Sequence, residues 1–175
     1  GWTAETLSED LDLSYRAQLA GWETLYLPTV DAPAELPPQL AAFKRQQARW
    51  TQGSIQTLRK LLGPIVRSPR LSIFQKGMAL LHLSGYMAYV LMILMLLVSL
   101  PMILFDVAPP ALGNLGLLAG LGPPLIYLIS QQRLHANWAR HLSALPLLIL
   151  VGIGVAWNNA AACWRGLTCW GGTFA

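Results

Sequence analysis

Polarity along the chain changes once, near residue 77. Before it, apolar and polar residues alternate at short range; after it, long apolar runs dominate. In the front part, "TLSEDLDLSYRAQLAG" at 6–21 carries helix signals at both ends. Thr6 with Glu9 fits a capping box, Ser8 is a rival N-cap, and the first turn is acidic, which suits a helix N-terminus. Gly21 suits the stop. A helix is therefore expected over 6–20. "WETLYL" at 22–27 has the composition of a short strand, and "PTVDAPAELPP" at 28–38 reads as an extended, Pro-rich loop. A second helix is expected from about Gln39 to Leu62, opened after Pro37–Pro38 and ended by Gly63–Pro64. "RSPRLSIFQKG" at 67–77 suits a short amphipathic segment on a membrane surface.

Three apolar runs follow. Residues 79–105 carry no formal charge, ample for a span of ~20 residues. Residues 111–130 form a second run, with Pro123–Pro124 as a tolerated kink. The third, 144–157, is short for a crossing, so an interfacial helix (about 144–163) is expected in preference to a third span. Two domains result: a polar front over 1–76 and a membrane region over 77–175.

Charge sharpens that division. The composition is 54% hydrophobic and 11% charged, with mean hydropathy +0.46 and net charge +4. Seven of the eight acidic residues precede residue 36, and nine of the twelve basic residues lie between Arg16 and Lys76. The basic residues just before the first apolar run place the front in the cytoplasm. Arg133, His135, Arg140 and His141 then fit a cytoplasmic return, and a third span would carry Arg165 outside. No Lys/Arg run interleaved with aromatics is present, so no nucleic-acid partner is expected. Cys163 and Cys169 are read as free thiols in a reducing compartment. The chain opens on Gly1 and closes on "GGTFA", and is expected to be a piece of a longer protein.

Two clusters carry candidate chemistry. In "QQARW", Gln46, Arg49 and Trp50 stand at i, i+3 and i+4, so one helical face offers an amide, a guanidinium fork and an indole. That set suits phosphate oxygens and a stacked sugar; it equally suits a membrane-surface helix with an anchoring Trp. In "SEDLD", a carboxylate could act as a general base, or the acidic turn could simply cap a helix. Asp10 and Asp12 at i, i+2 point apart on a helix, so no metal site is read there.

Together, in this order, and just before an apolar run, the clusters resemble the processive family 2 inverting glycosyltransferases, in the cellulose-synthase-like and mannan-synthase-like branch. The family's T-E-D looks like Ser8-Glu9-Asp10, with Ser for Thr. Its E-D-x-D-L-x-x-R-x-x-x-x-G-W looks like Glu9, Asp10, Asp12, Leu13, Arg16, Gly21 and Trp22. Its Q-x-x-R-W looks like Gln46, Arg49 and Trp50, and Tyr26, Pro28, Glu35 and Pro37 match the loop between.

The resemblance implies the end of an α/β nucleotide-sugar glycosyltransferase domain followed by an all-α transmembrane region. It implies Asp10 as general base, Glu9 as an acceptor-orienting or structural residue, Gln46 and Arg49 on the leaving diphosphate, and Trp50 on the acceptor sugar. It further implies UDP-glucose or GDP-mannose as donor, a polysaccharide acceptor, and a bacterial inner-membrane location with the catalytic part cytoplasmic. Mg2+ or Mn2+ is implied for the whole protein, with ligands preceding this chain, and a gating loop would begin near Phe174. Two other readings stay open: an enzyme that glycosylates a lipid, as ceramide glucosyltransferases do, and a non-catalytic membrane scaffold.

Overall fold

The computed structural model describes residues 1–35, 37–107 and 110–171, with backbone alone for 110–119. The described residues are helical and contain no strand: α1 (Glu9–Leu19), α2 (Leu40–Arg67), α3 (Ile73–Ser84), α4 (Met87–Leu104), α5 (Pro110–Leu134), α6 (Trp138–His141), a 3-10 turn (Leu142–Ala144) and α7 (Leu145–Thr168). The strand expected at 22–27 is absent. Those residues are exposed coil, and among the described residues no strand lies beside them to offer the ladder that pairing needs.

The chain divides into two compact units, 1–91 with 155–175, and 92–154. The first holds the candidate site. Its core joins Tyr15 of α1, Leu61 and Ile65 of α2, and Ala79 and Leu83 of α3. α1 begins at Glu9, later than the expected Thr6, with Ser8 at the N-cap and no side-chain capping bond. It ends as expected. Gly21 has φ +97°, its N–H reaches the Gln18 carbonyl at 3.0 Å, and the Trp22 N–H reaches the Ala17 carbonyl at 3.0 Å. That pair of bonds is a Schellman stop.

α2 does not end at Gly63–Pro64; Pro64 lies inside it and the helix runs on to Arg67. An interior proline costs about 3 kcal/mol, but the last turn places Ile65 at 0% exposure beside Leu61 in the core. Burial of side chains like these offsets a loss of that size.

The expected 79–105 span is also revised. α3 stops at Ser84 and α4 starts at Met87. The Leu83 carbonyl, which would continue the helical ladder, accepts instead from the Ser54 hydroxyl at 3.0 Å. The Tyr86 carbonyl accepts from the Cys163 thiol at 3.3 Å. α3 opens on a capping box: Ser72 Oγ accepts from the Gln75 N–H and Gln75 Oε1 accepts from the Ser72 N–H. Tyr15 and His82 join α1 to α3 through a 2.8 Å hydrogen bond between the hydroxyl and Nδ1.

Met87–Leu104 and Trp138–Thr168 are long and apolar enough to cross a membrane by length and composition, with mean hydropathies 2.5 and 1.7. The expected second span lies within α5, and its first half falls outside the residues whose side chains are described. α7 is 24 residues long, well beyond the expected apolar run at 144–157. Asn158 and Asn159 lie inside it, and Asn158 Nδ2 donates to the Lys44 carbonyl of α2 at 3.0 Å. In the second unit, the Tyr127 hydroxyl donates to the His141 carbonyl at 2.9 Å, and the His135 and His141 rings stack at 4.4 Å.

Candidate active site

The site is organised by α2. Its residues 51 and 53–57 are all buried, so one stretch of helix meets α1 on one side and α7 on another. Gly53 makes the first approach possible. A Cβ there would stand 2.6 Å from the Ser8 amide nitrogen and 2.8 Å from Ser8 Cβ, inside the contact limit of any real side chain. Glycine at 53 therefore lets the backbone of the Ser8-Glu9-Asp10 cluster rest on the helix that carries Gln46, Arg49 and Trp50. The same contact explains the missing cap, since the Ser8 hydroxyl is turned toward Gly53.

One turn on, Gln56 is fully buried and bridges two backbone segments. Its Oε1 accepts from the Leu7 N–H at 3.0 Å, and its Nε2 donates to the carbonyls of Gly171 at 2.9 Å and Cys169 at 3.2 Å. It ties the residue next to Ser8 to the segment after α7. Arg59 reinforces that end: its Nη1 donates to the Gly166 carbonyl at 2.9 Å, and its guanidinium lies 4.2 Å from the Trp170 ring centroid.

The acidic cluster divides into two environments. Asp12 is 0% exposed. Its carboxylate pairs with Lys60 at 3.0 Å and with Arg16 at 2.8 Å, and accepts from the Thr3 hydroxyl at 3.1 Å. Burial alone would raise its pKa, but the hydrogen bonds from Lys60, Arg16 and Thr3 together outweigh it and hold the carboxyl below its ordinary value. Lys60 is opposed by burial in the same way, yet Glu5 and Asp12 keep its pKa raised. Asp12 is thus committed to holding α1 on α2. Asp10 is exposed and Glu9 half-buried, and one Asp10 oxygen accepts from the Leu11 N–H at 2.8 Å.

Gln46 and Arg49 line one cavity of about 430 Å³ on α2. Leu7 and Gln52 line it too, and Asn158 and Arg165 of α7 supply its other wall. Glu9, Asp10 and Trp50 are not among the lining residues; Trp50 is 44% exposed beside it. The i, i+3 spacing makes the Gln46–Arg49 pairing visible in sequence. The roles of Gly53, Gln56 and Lys60 are not, because their partners are 45 or more residues away and no local pattern announces them. Among the described residues no group of three His, Cys, Asp or Glu could hold a metal. The region near Phe174 lies outside the described residues.

A family model described as "Glycosyl transferase family group 2" matches residues 1–130. Among curated relatives, glucomannan 4-beta-mannosyltransferase 7 of Arabidopsis thaliana is 43% identical over 76 residues, covering 43% of this chain and 14% of its own. Glucomannan 4-beta-mannosyltransferase 1 of Oryza sativa subsp. japonica is 43% identical over 76 residues, covering 43% of this chain and 15% of its own. The chain thus spans about a seventh of the length of these relatives. No solved structure matches it. With the model matching well over half of its residues, the chain belongs to glycosyl transferase family group 2.

Proposed function

We propose that the whole protein is a membrane-embedded, inverting glycosyltransferase that extends a β-linked polysaccharide, and that this chain carries the base, the leaving-group site and the first membrane crossings. The observation that carries the reading is the seating of Ser8-Glu9-Asp10 on the Gln46/Arg49/Trp50 helix through Gly53. Chemistry that couples proton removal to phosphate departure needs those groups in one place. Asp10 takes the proton of an acceptor hydroxyl as that oxygen attacks the anomeric carbon. The bond from that carbon to the diphosphate oxygen breaks, and the departing charge meets Arg49 and Gln46. One displacement inverts the centre, so an α-linked donor gives a β-glycoside. Exposed Asp10 and Trp50 are open to an acceptor, with the Trp50 face available for stacking on a sugar.

The names of the relatives favour a mannosyl donor, GDP-mannose, with UDP-glucose second and a β-mannan or β-glucan as product. The α/β part of the catalytic domain precedes these helices. Mg2+ or Mn2+, where the reaction uses it, is held by residues outside this chain. α4 and α5 cross the bilayer, and the front stays cytoplasmic. The second half of α7 stays on the front's side, because its residues from Val155 pack with a helix carrying Lys44, Arg45, Arg49, Arg59 and Lys60, charges too costly to bury in hydrocarbon.

The test supplies labelled GDP-mannose or UDP-glucose to membranes containing the whole protein. β-mannanase or β-glucanase should release the label from an insoluble product. Label in the organic phase would make the product a glycolipid instead, and consumption of neither donor would overturn the reading.

A further inference from the structure

We propose that Gln56 of α2 is a positioning residue for Asp10, and that the chain following α7 acts on the acidic cluster through it. This rests on the glycosyltransferase reading above, in which Asp10 is the base. Gln56 shares α2 with Gln46 and Arg49, and its Oε1 accepts from the Leu7 N–H at 3.0 Å. Leu7 adjoins Ser8, the N-cap of α1, which makes no side-chain capping bond. The Gln56–Leu7 bond therefore ties the start of α1 to the helix that carries the leaving-group residues. The Asp12 N–H donates to the Ser8 carbonyl at 3.0 Å. That closed turn holds Ser8, Glu9 and Asp10 as one piece, so a shift at Leu7 is passed on to Asp10.

The other end of the Gln56 carboxamide is set from far along the chain. Its Nε2 donates to the Gly171 carbonyl at 2.9 Å and to the Cys169 carbonyl at 3.2 Å. The Gly171 N–H in turn donates to the Glu5 carbonyl at 3.3 Å. Glu5, Gly171, Gln56 and Leu7 thus close a ring that joins residues 5–7, α2 and the segment after α7. A carboxamide that accepts an N–H at one end and donates to two carbonyls at the other has one allowed orientation. Reversed, it would set its oxygen against two carbonyl oxygens. Gln56 is 0% exposed, so solvent does not replace a bond lost from the ring. Gly171 sits at φ +65°, which glycine takes without strain. Displacing its carbonyl moves the carboxamide, and with it the Leu7 N–H.

Donor turnover and calorimetric binding of GDP and UDP are measured on the detergent-solubilised whole protein, for wild type, Gln56→Met and Gly171→Val. Each is read well below that variant's melting temperature, so that lost stability does not enter. Methionine keeps the length of glutamine and removes its carboxamide. Valine is strained at positive φ, while a Cβ added at 171 meets nothing within 4 Å, so it disturbs the ring without crowding α2. Gln56→Met should lower kcat roughly tenfold or more, because a small misplacement of a reacting group is costly, and Gly171→Val should lower it by less. Diphosphate binding should stay close to wild type in both, because Gln46 and Arg49 are carried by α2 itself. Neither change should add to the loss in Asp10→Asn, since both act through Asp10. Wild-type turnover in either variant, with Asp10→Asn impaired, overturns the assignment and leaves the glycosyltransferase reading intact. Losses that multiply with that of Asp10→Asn, or that fall equally on diphosphate binding, overturn it too and make Gln56 a packing residue. If Gln56→Met does not fold, Gly171→Val alone decides between these outcomes. A wild-type protein that consumes neither donor overturns the reading and this assignment together.

Discussion

Gly53 of α2 and Ser8 at the N-cap of α1 approach so closely that no side chain fits at position 53. Alanine normally stabilises a helix over glycine by up to about 1 kcal/mol. Here the methyl must displace the Ser8 backbone, and overpacking of that kind costs about 1–3 kcal/mol. Gly53→Ala should therefore lower stability and reduce polymer synthesis. At Gly63 of the same helix an added methyl would meet nothing within 4 Å, so Gly63→Ala should leave stability unchanged or raise it by up to about 1 kcal/mol. Thermal melts should fall for Gly53→Ala and hold or rise for Gly63→Ala. A Gly53→Ala protein as stable and active as wild type would mean the two helices are not held together there.

Asp12 is the buried anchor of α1. Removing one partner of a buried ion pair is worth about 3 kcal/mol, and Asp12→Asn should cost about that in denaturant unfolding. The pH dependence has a definite sign. Its folded pKa is depressed by Lys60, Arg16 and Thr3 despite burial. Its contribution is therefore complete above the ordinary value of 3.8 and disappears as pH falls through the lowered folded value. Lys60, raised above 10.5, loses its contribution only as pH climbs beyond that value. Between these limits the pair should give a flat stability profile, and the Asn variant should lose the acid-side slope below about pH 4.

If Asp10 removes the acceptor proton, Asp10→Asn in the whole protein should lower kcat by roughly 10² or more and leave donor binding largely intact. Turnover near wild type would assign the base elsewhere.

Arg49 and Trp50 should separate kinetically. Arg49→Lys keeps the charge but loses the fork, so polymer formation and donor hydrolysis should both slow, in kcat more than in donor affinity. Trp50→Ala should impair elongation more than hydrolysis, which needs no sugar acceptor. Equal slowing of both rates by Trp50→Ala would make the indole structural.

The membrane topology can be read by labelling single cysteines from outside. Cys169 is exposed and Cys163 buried, so Cys169→Ser provides the background. A cysteine near Asp106 should react with an impermeant reagent, and one at Arg165 should not. Reaction at 165 would show that the run Trp138–Thr168 crosses completely.

Some of these features are dictated by short stretches of sequence. The stop at Gly21 needs only a residue free to take φ +97°. The apolar character of α4 is written in its composition, and the shared face of Gln46 and Arg49 follows from helical spacing. The order of acidic cluster, Gly-Trp and Gln-Arg-Trp is enough to identify the family. Tertiary structure decided the rest, wherever a distant partner outweighed a local preference. Ile65 burial carries α2 through Gly63–Pro64, and the Ser54 hydroxyl takes the Leu83 carbonyl and divides the first apolar run. Gly53 turns Ser8 away from capping, and Asn158 ties α7 to the Lys44 carbonyl of α2. Arg165 reaches the site through Gln52, 113 residues away in the chain. A local pattern cannot encode such a pairing, because its free energy exists only once α2 and α7 are packed together.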